Sequence, residues 1–182
     1  HKVLFHAAAG GTGLIAMQWA RMMDVEITGT VSSEEKKELA KNYGAANVIN
    51  YARENFVEQI RDITQGRGVD VVFDSVGAST FYQSIQSLKK YGLMVSYGNA
   101  SGKVSAFDLG LLSGHLFITR PTLWSYVATR KELEVTFGEL LQLVMLNKIR
   151  IPIYQKKPLQ DVVTLHKLME ERRTTGCSIL TV

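Results

Sequence analysis

The sequence HAAAGGTG, residues 6–13, lies between an apolar run and a segment with helical spacing. The apolar run at residues 2–6 is typical of a short buried strand, and Ile15, Trp19 and Met22 repeat along one helix face. A glycine-rich turn in this position directs backbone N–H groups and the positive end of a helix towards a ligand. The turn therefore predicts a strand–turn–helix unit that binds the diphosphate of a dinucleotide.

The glycines of this turn depart from the usual G-x-G-x-x-G pattern, whose places fall on Ala8, Gly10 and Gly13. The first glycine is absent and Gly11 is additional. We expect Gly11 to leave the backbone open to the ligand, and Gly13 to let the helix lie close to the strand. The alternative, a glycine-rich turn without a ligand, is disfavoured by the strands and helices that follow.

The next part of the chain alternates strand-like and helix-like segments, as in a parallel sheet with crossover helices. A helix is predicted to begin at Ser32 with a capping box closed by Glu35, and a later helix follows a second box, Thr129 with Glu132. The helix after the fourth strand is expected to end at Gly92. Further strands are predicted at residues 25–31, 47–51, 69–74, 93–97 and 116–119.

The predicted fold class is α/β, a doubly wound six-stranded parallel sheet of the Rossmann type within residues 1–128. Residues 129–182 break the alternation and form a second unit with a long helix. It continues with a strand at 149–154, a helix at about 159–172 and a closing strand at 178–182. We assign these last strands to another sheet.

Composition limits the other function classes. The net charge is +4, but the basic residues are scattered, which does not favour nucleic acid as a partner. Cys177 is the single cysteine, so an internal disulfide and a cysteine-based zinc site are both excluded, and a place in the core is expected for it. No apolar run is long enough for a membrane span, and no secretory leader is recognisable, so we expect a cytoplasmic protein.

The end of the second strand bears on the choice of dinucleotide. An acidic residue there would hold the ribose 2′-OH of NAD, and none is present. Ser32, Ser33 and Lys36 could instead donate hydrogen bonds to a 2′-phosphate, which favours NADP. Glu34 and Glu35 oppose this interpretation because they place negative charge nearby.

Several segments carry a family resemblance over essentially the whole chain. HAAAGGTGLIA, VINY, VDVVFDSVG, GLMVSYGN and ITRPTL resemble the zeta-crystallin-like bacterial quinone oxidoreductases of the medium-chain dehydrogenase/reductase superfamily. The resemblance implies NADPH-dependent, zinc-independent reduction of a quinone by hydride transfer. It also implies a homodimer formed through strand Leu116–Thr119, and an N-terminal barrel-like catalytic domain that this chain lacks.

The resemblance assigns cofactor contacts and no catalytic residue to this chain. It places the pyrophosphate and nicotinamide at the glycine turn, the 2′-phosphate near Ser32, Lys36 and Arg172, and the nicotinamide side at the loop after the fifth strand. Together with the residue-based assignments, the predicted cofactor-binding residues are Gly10, Gly11, Thr12, Gly13, Ser32, Ser33, Lys36, Tyr51, Val76, Gly98, Asn99, Ser101 and Arg172.

Other polar residues receive structural interpretations. Asp74 is expected to be structural, and His115 and His166 are expected to be surface or packing residues. Without the N-terminal domain, the strands at 149–154 and 178–182 are expected to lack partners within the chain. They would then be rearranged, mobile or paired through contacts between molecules.

Two other functions stay open at this point. One is a reductase of activated C=C bonds, such as enones or enoyl thioesters, on the same scaffold. The other is a non-catalytic nucleotide- or RNA-binding module. The sequence offers no platform of interleaved aromatic and basic residues for stacking bases, which counts against RNA.

Overall fold

A computed structural model describes all of residues 1–182. Six parallel strands form the main sheet, in the order β3-β2-β1-β4-β5-β6. Their bounds are β1 Lys2–Phe5, β2 Glu26–Val31, β3 Asn47–Asn50, β4 Val69–Asp74, β5 Leu88–Ser96 and β6 Phe117–Thr119. The predicted doubly wound α/β sheet is confirmed. Strand order reverses between β1 and β4, and a crevice at the carboxyl ends is expected there.

Helices cover both faces of this sheet. Residues of β1 alternate between the two cores, with Val3 and Phe5 facing one and Leu4 the other. The helices are α1 Gly11–Met22, α2 Glu34–Asn42, α3 Phe56–Ile63, α4 Phe81–Gln86, α5 Leu123–Tyr126, α6 Arg130–Met145 and α7 Val162–Glu170, with 3-10 turns at Leu109–Leu112 and Leu159–Asp161. None of them has both the length and the apolar character needed to cross a bilayer.

The predicted start of α2 is wrong by one residue. Ser33, rather than Ser32, is the N-cap, and its hydroxyl accepts a hydrogen bond from the Lys36 N–H at 3.3 Å. The residue that would close a capping box is therefore Lys36, which cannot accept a bond in return. The second predicted box, Thr129 with Glu132, is confirmed at the start of α6.

The predicted end of the helix after β4 is also wrong. Helix α4 ends at Gln86, and β5 begins at Leu88, so Gly92 lies inside the strand. Leu88 pairs with Val69, and the register becomes regular again only from Leu93. A side chain at Gly92 would lie 2.8 Å from the Lys89 carbonyl oxygen, so this glycine permits a close turn within the strand.

The last two strands form a separate parallel sheet, β7 Ile153–Pro158 with β8 Cys177–Thr181. The separate sheet is confirmed, but β7 begins later than the predicted 149–154. The expectation that these strands lack partners is wrong, because they pair with each other. Helix α7 supplies the crossover that a parallel pair requires.

Candidate functional site

A cavity of about 720 Å³ opens along the carboxyl edge of the main sheet. Its size falls in the range of about 300–1,000 Å³ that is usual for small-molecule and cofactor sites. Its walls come from the segments that follow β1 to β5 and from the residues after α7. The lining includes Ala7, Ala9, Gly10, Thr30, Ser32, Lys36, Tyr51, Glu54, Asn55, Ser75, Val76, Thr80, Ala100, Ser101, Arg172 and Thr174.

The glycine turn closes one side of this cavity. Gly10 lines it, and the expected packing role of Gly13 is confirmed. A side chain at Gly13 would lie 2.5 Å from the carbonyl oxygens of Ala7 and Ala8. Only glycine therefore lets α1 begin directly against the end of β1, with its first N–H groups near the cavity.

Gly11 has a packing role beside the one expected for it. A side chain there would lie 2.8 Å from Cys177 Sγ, so the missing side chain makes room for the start of β8. The contact of its backbone with a ligand stays a prediction. Residues 172–177, here called the return segment, follow α7 and reach the glycine turn. The Gly176 N–H donates to the Ala9 carbonyl at 2.9 Å, and Cys177, expected in the core, is half-buried.

Two cations meet at the opposite side of the cavity. Lys36 Nζ donates to the Arg172 carbonyl oxygen at 2.5 Å, and both side chains line the cavity together with Ser32. Burial lowers the pKa of Lys36, and the charge of Arg172 lowers this pKa further, whereas Glu35 raises it. The structure thus brings together the residues predicted for a 2′-phosphate, from α2 and from the return segment. Ser33 caps α2 and does not line the cavity.

The side chain of His6 forms part of the cavity floor, and sequence reasoning missed it. It is 1% exposed, with Nδ1 2.9 Å from Thr30 Oγ1 and Nε2 2.9 Å from Ser84 Oγ. Ser84 Oγ donates its only proton to Asp74 Oδ2 at 2.9 Å, so it must accept from His6 Nε2–H. Nδ1 then accepts from the Thr30 hydroxyl.

His6 is therefore neutral in the folded chain. Burial lowers its pKa to about 4, although the Asp74 carboxylate acts in the opposite direction. The separation of 3.9 Å between His6 Nε2 and Asp74 Oδ2 is consequently not an ion pair at neutral pH. The floor of the cavity is a hydrogen-bonded, uncharged ring above a buried carboxylate.

Asp74 shapes the loop after β4, as its expected structural role requires. Its Oδ1 accepts from the N–H groups of Val76 at 2.7 Å and Gly77 at 3.0 Å, and its Oδ2 accepts from the Thr80 hydroxyl at 2.7 Å. These bonds hold Val76 at the cavity wall. Ser101 Oγ donates to the Val76 carbonyl at 2.9 Å and joins this loop to the one after β5.

Some predicted contact residues do not line the cavity. These are Gly11, Thr12, Gly13, Ser33, Gly98 and Asn99. A side chain at Gly98 would overlap the Ser75 carbonyl, so this glycine packs the loops after β4 and β5 together. Arg120 donates to the Gly98 carbonyl at 3.0 Å. His115 and His166 are exposed, as expected.

Comparisons with known proteins agree with this geometry. The model of a family described as zinc-binding dehydrogenase matches residues 11–143. The chain is 45% identical to quinone oxidoreductase 1 of Escherichia coli, over 98% of this chain and 56% of that protein. It is 41% identical to a 2-haloacrylate reductase of Burkholderia, over 98% of this chain and 54% of that enzyme.

A solved structure gives the same picture. The crystal structure of Escherichia coli quinone oxidoreductase complexed with NADPH superposes with a TM-score of 0.97 at 44% sequence identity. It covers 100% of this chain, which in turn covers 57% of that protein. The chain thus spans about half the length of the relatives that it matches.

Proposed function

The chain belongs to the zinc-binding dehydrogenase family, in the medium-chain dehydrogenase/reductase superfamily, and from that premise we propose that it is the NADPH-binding half of a quinone reductase. The observation that carries the proposal is the meeting of Ser32, Lys36 and Arg172 at one end of a cavity whose other side is the glycine turn. Such a cavity offers donors for a diphosphate and separate cations for a 2′-phosphate.

The chain's own residues bind and orient the cofactor. Gly10, at the turn before α1, would contact the diphosphate, and the loops that contain Val76 and Ser101 would border the nicotinamide side. The neutral His6 ring at the floor is linked through Ser84 to Asp74, which in turn holds the loop that contains Val76. The bound dihydronicotinamide would supply the hydride, and we assign no catalytic side chain to this chain.

The zinc in the family's description does not fit this chain. Cys177 is the only cysteine, and no three His, Cys, Asp or Glu side chains lie close enough together to hold a metal ion. A catalytic zinc site usually takes three protein ligands. No step assigned to this chain's own residues therefore involves a metal, and the zinc-independent reaction that the resemblance implies is proposed for the whole protein.

Residues 1–128 would form the cofactor-binding domain, and residues 129–182 would lead back to a second domain. The long helix α6 supports this division because Leu133, Phe137 and Leu141 leave an apolar stripe exposed along it. The relatives are nearly twice as long, and the substrate pocket would lie mainly in their other half.

Calorimetry with NADPH and NADH tests the ligand. We expect NADPH to bind at least about tenfold more tightly, because one charged hydrogen bond contributes about 1.5–3 kcal/mol. Lys36→Gln and Arg172→Gln should remove most of this difference by weakening NADPH binding alone. Lys41→Gln, on the same helix but outside the cavity, is the matched control and should change nothing. Equal affinity of the original chain for the two dinucleotides would contradict the proposal.

The substrate needs a separate assay. A reductase of activated C=C bonds is the second candidate, favoured by the 41% identity to 2-haloacrylate reductase. Quinone and 2-haloacrylate should therefore be compared at saturating NADPH, with the full-length Escherichia coli relative as reference. We expect little or no turnover by the 182-residue chain, since it spans only about half the length of these relatives. Rates comparable to the reference would show that the chain needs no second domain.

A further inference from the structure

Glu34 lies at the rim of the proposed 2′-phosphate subsite. It is the first residue of α2, between Ser32 and Lys36, which both line the cavity. Its side chain is exposed, so an unrestrained carboxylate would be free to turn towards the cavity. An acidic group near the end of the second strand accepts a bond from a ribose 2′-OH and repels a 2′-phosphate. Left free, Glu34 would thus oppose the function proposed above.

The buried amide of Asn50 restrains this carboxylate. Asn50 Nδ2 donates to Glu34 Oε1 at 2.6 Å. Asn50 is 1% exposed and ends β3, beside Val31 at the end of β2. Its Oδ1 accepts from the Ala52 N–H at 3.2 Å, which fixes the amide so that the NH₂ group must face Glu34. The restraint therefore comes from a side chain that is itself held in place.

The Glu34 carboxylate is bonded to the end of β3 and does not line the cavity. The Asn50 hydrogen bond is the main cause that lowers the pKa of Glu34, so the group is ionised at neutral pH. The cations that act on it are Lys37, Arg53 and Lys41.

We infer that Asn50 is a specificity-determining residue, which holds the Glu34 carboxylate away from the 2′-phosphate subsite and so maintains a preference for NADPH over NADH. The inference rests on the proposed function. Loss of the amide would free an ionised group next to Ser32. That group would repel the 2′-phosphate of NADPH and accept a hydrogen bond from the 2′-OH of NADH, and both effects change the affinity ratio in the same direction.

The test is calorimetric titration of the 182-residue chain and its variants with NADPH and NADH. Asn50→Ser keeps a short acceptor for the Ala52 N–H but cannot reach Glu34. We expect the ratio of the NADH to the NADPH dissociation constant to fall about three- to tenfold, as for charges a few ångströms apart in a solvated site. Adding Glu34→Gln should restore the ratio to within about twofold, since the freed group is then uncharged.

Matched controls separate the outcomes. Adding Glu38→Gln to Asn50→Ser removes an exposed acid from the same helix, which pairs with Lys41, and should not restore the ratio. An unchanged ratio in Asn50→Ser, or equal rescue by Glu38→Gln, would overturn the inference. If the Asn50 variants do not fold, the affinity ratio of the single variant Glu34→Gln tests the inference. With Asn50 in place it should change the ratio less than about twofold, and a much larger change would show that Glu34 already acts on the cofactor.

Failure of the proposed function has a different signature. An original chain that binds neither dinucleotide, or that binds both equally, contradicts the NADPH proposal whatever the variants do. A clear NADPH preference that Asn50→Ser leaves intact contradicts only the role assigned to Asn50.

Discussion

A single buried histidine joins the central elements beneath the cavity. His6 directly follows β1, and its ring is hydrogen-bonded to Thr30 of β2 and Ser84 of α4. Its folded pKa of about 4 lies below the ordinary value of 6.5, so the unfolded chain takes up a proton at higher pH than the folded chain. The contribution of His6 to stability is therefore complete above about pH 6.5 and declines as pH falls towards 4.

This gives a prediction for the pH dependence of stability. Between pH 6.5 and 5 the free energy of unfolding should fall by about 1.5 kcal/mol in the original chain, because the slope rises towards about 1.36 kcal/mol per pH unit as the unfolded histidine becomes protonated. His6→Gln should remove most of that slope. The measurement is urea unfolding at a series of pH values. The folded pKa values of Glu34, Asp70 and Glu132 are lowered, so these groups reduce stability only as the pH falls through their ordinary values of 4.5, 3.8 and 4.5, which lie below this window.

The exposed His166 provides the control for this measurement. His166→Gln should keep the full slope of the original chain. A slope that survives in His6→Gln would mean that another group titrates, and the buried neutral histidine would then not explain the acid sensitivity.

At the level of elements, two glycines within helices differ in the space that is available for a side chain. Gly13 lies in the first turn of α1 and has no room for a side chain, since a Cβ atom there would lie 2.5 Å from the carbonyl oxygens of Ala7 and Ala8. Gly138 lies within α6, and nothing stands within 4 Å of the corresponding position. Helix propensity favours alanine over glycine at both sites, so only packing distinguishes them.

The same substitution should therefore change stability in opposite directions. Gly13→Ala should lower the free energy of unfolding by about 1–3 kcal/mol, because α1 must move off the sheet. Gly138→Ala should raise it by about 0.5–1 kcal/mol. Urea unfolding at neutral pH measures both. If Gly13→Ala were as stable as the original chain, α1 would not be packed as closely as the structure has it.

Element prediction from sequence succeeded where a local pattern determines the outcome. The alternating pattern located the strands of the main sheet, and the Thr129 capping box began α6 at the right residue. The prediction of the N-cap of α2 failed because Ser32 and Ser33 are adjacent and either hydroxyl could cap the helix. It also failed at Gly92, where a glycine inside a strand looks like a helix stop.

Parts of the candidate site could not be predicted because they depend on contacts between distant segments. Lys36 and Arg172 were both assigned to the cofactor, but their contact was not foreseen. From the sequence alone Glu34 opposes a 2′-phosphate, but the hydrogen bond from Asn50 holds its carboxylate at the end of β3. Nothing near His6 in the sequence indicates Thr30 and Ser84 as partners, since the fold alone brings them together.

At the scale of the whole molecule, one edge of the main sheet is suited to assembly. Strand β6 is one of the two outer strands, and Phe117 is 58% exposed on it. Trp124 in the following helix is 77% exposed. An apolar edge of this kind invites pairing with another strand, and a two-fold dimer would satisfy both copies alike.

Dimerisation through this edge stays a prediction, and sedimentation can test it. We expect the original chain to sediment with the mass of two copies, and Phe117→Lys to shift it to one copy because charged edge residues disfavour strand pairing. Val163→Lys, at an exposed position on α7, should leave the dimer intact. A monomeric original chain would contradict the prediction.

The return segment has a consequence for how the protein is made. Arg172 and the Gly176 contact come from one end of the sequence, and the glycine turn comes from the other. On the ribosome, a nascent chain that had formed all six parallel strands would still lack Arg172 at the proposed 2′-phosphate subsite. On the proposed assignment, NADPH would bind with all its contacts only after the return segment has been synthesised. It therefore cannot assist the earlier steps of folding.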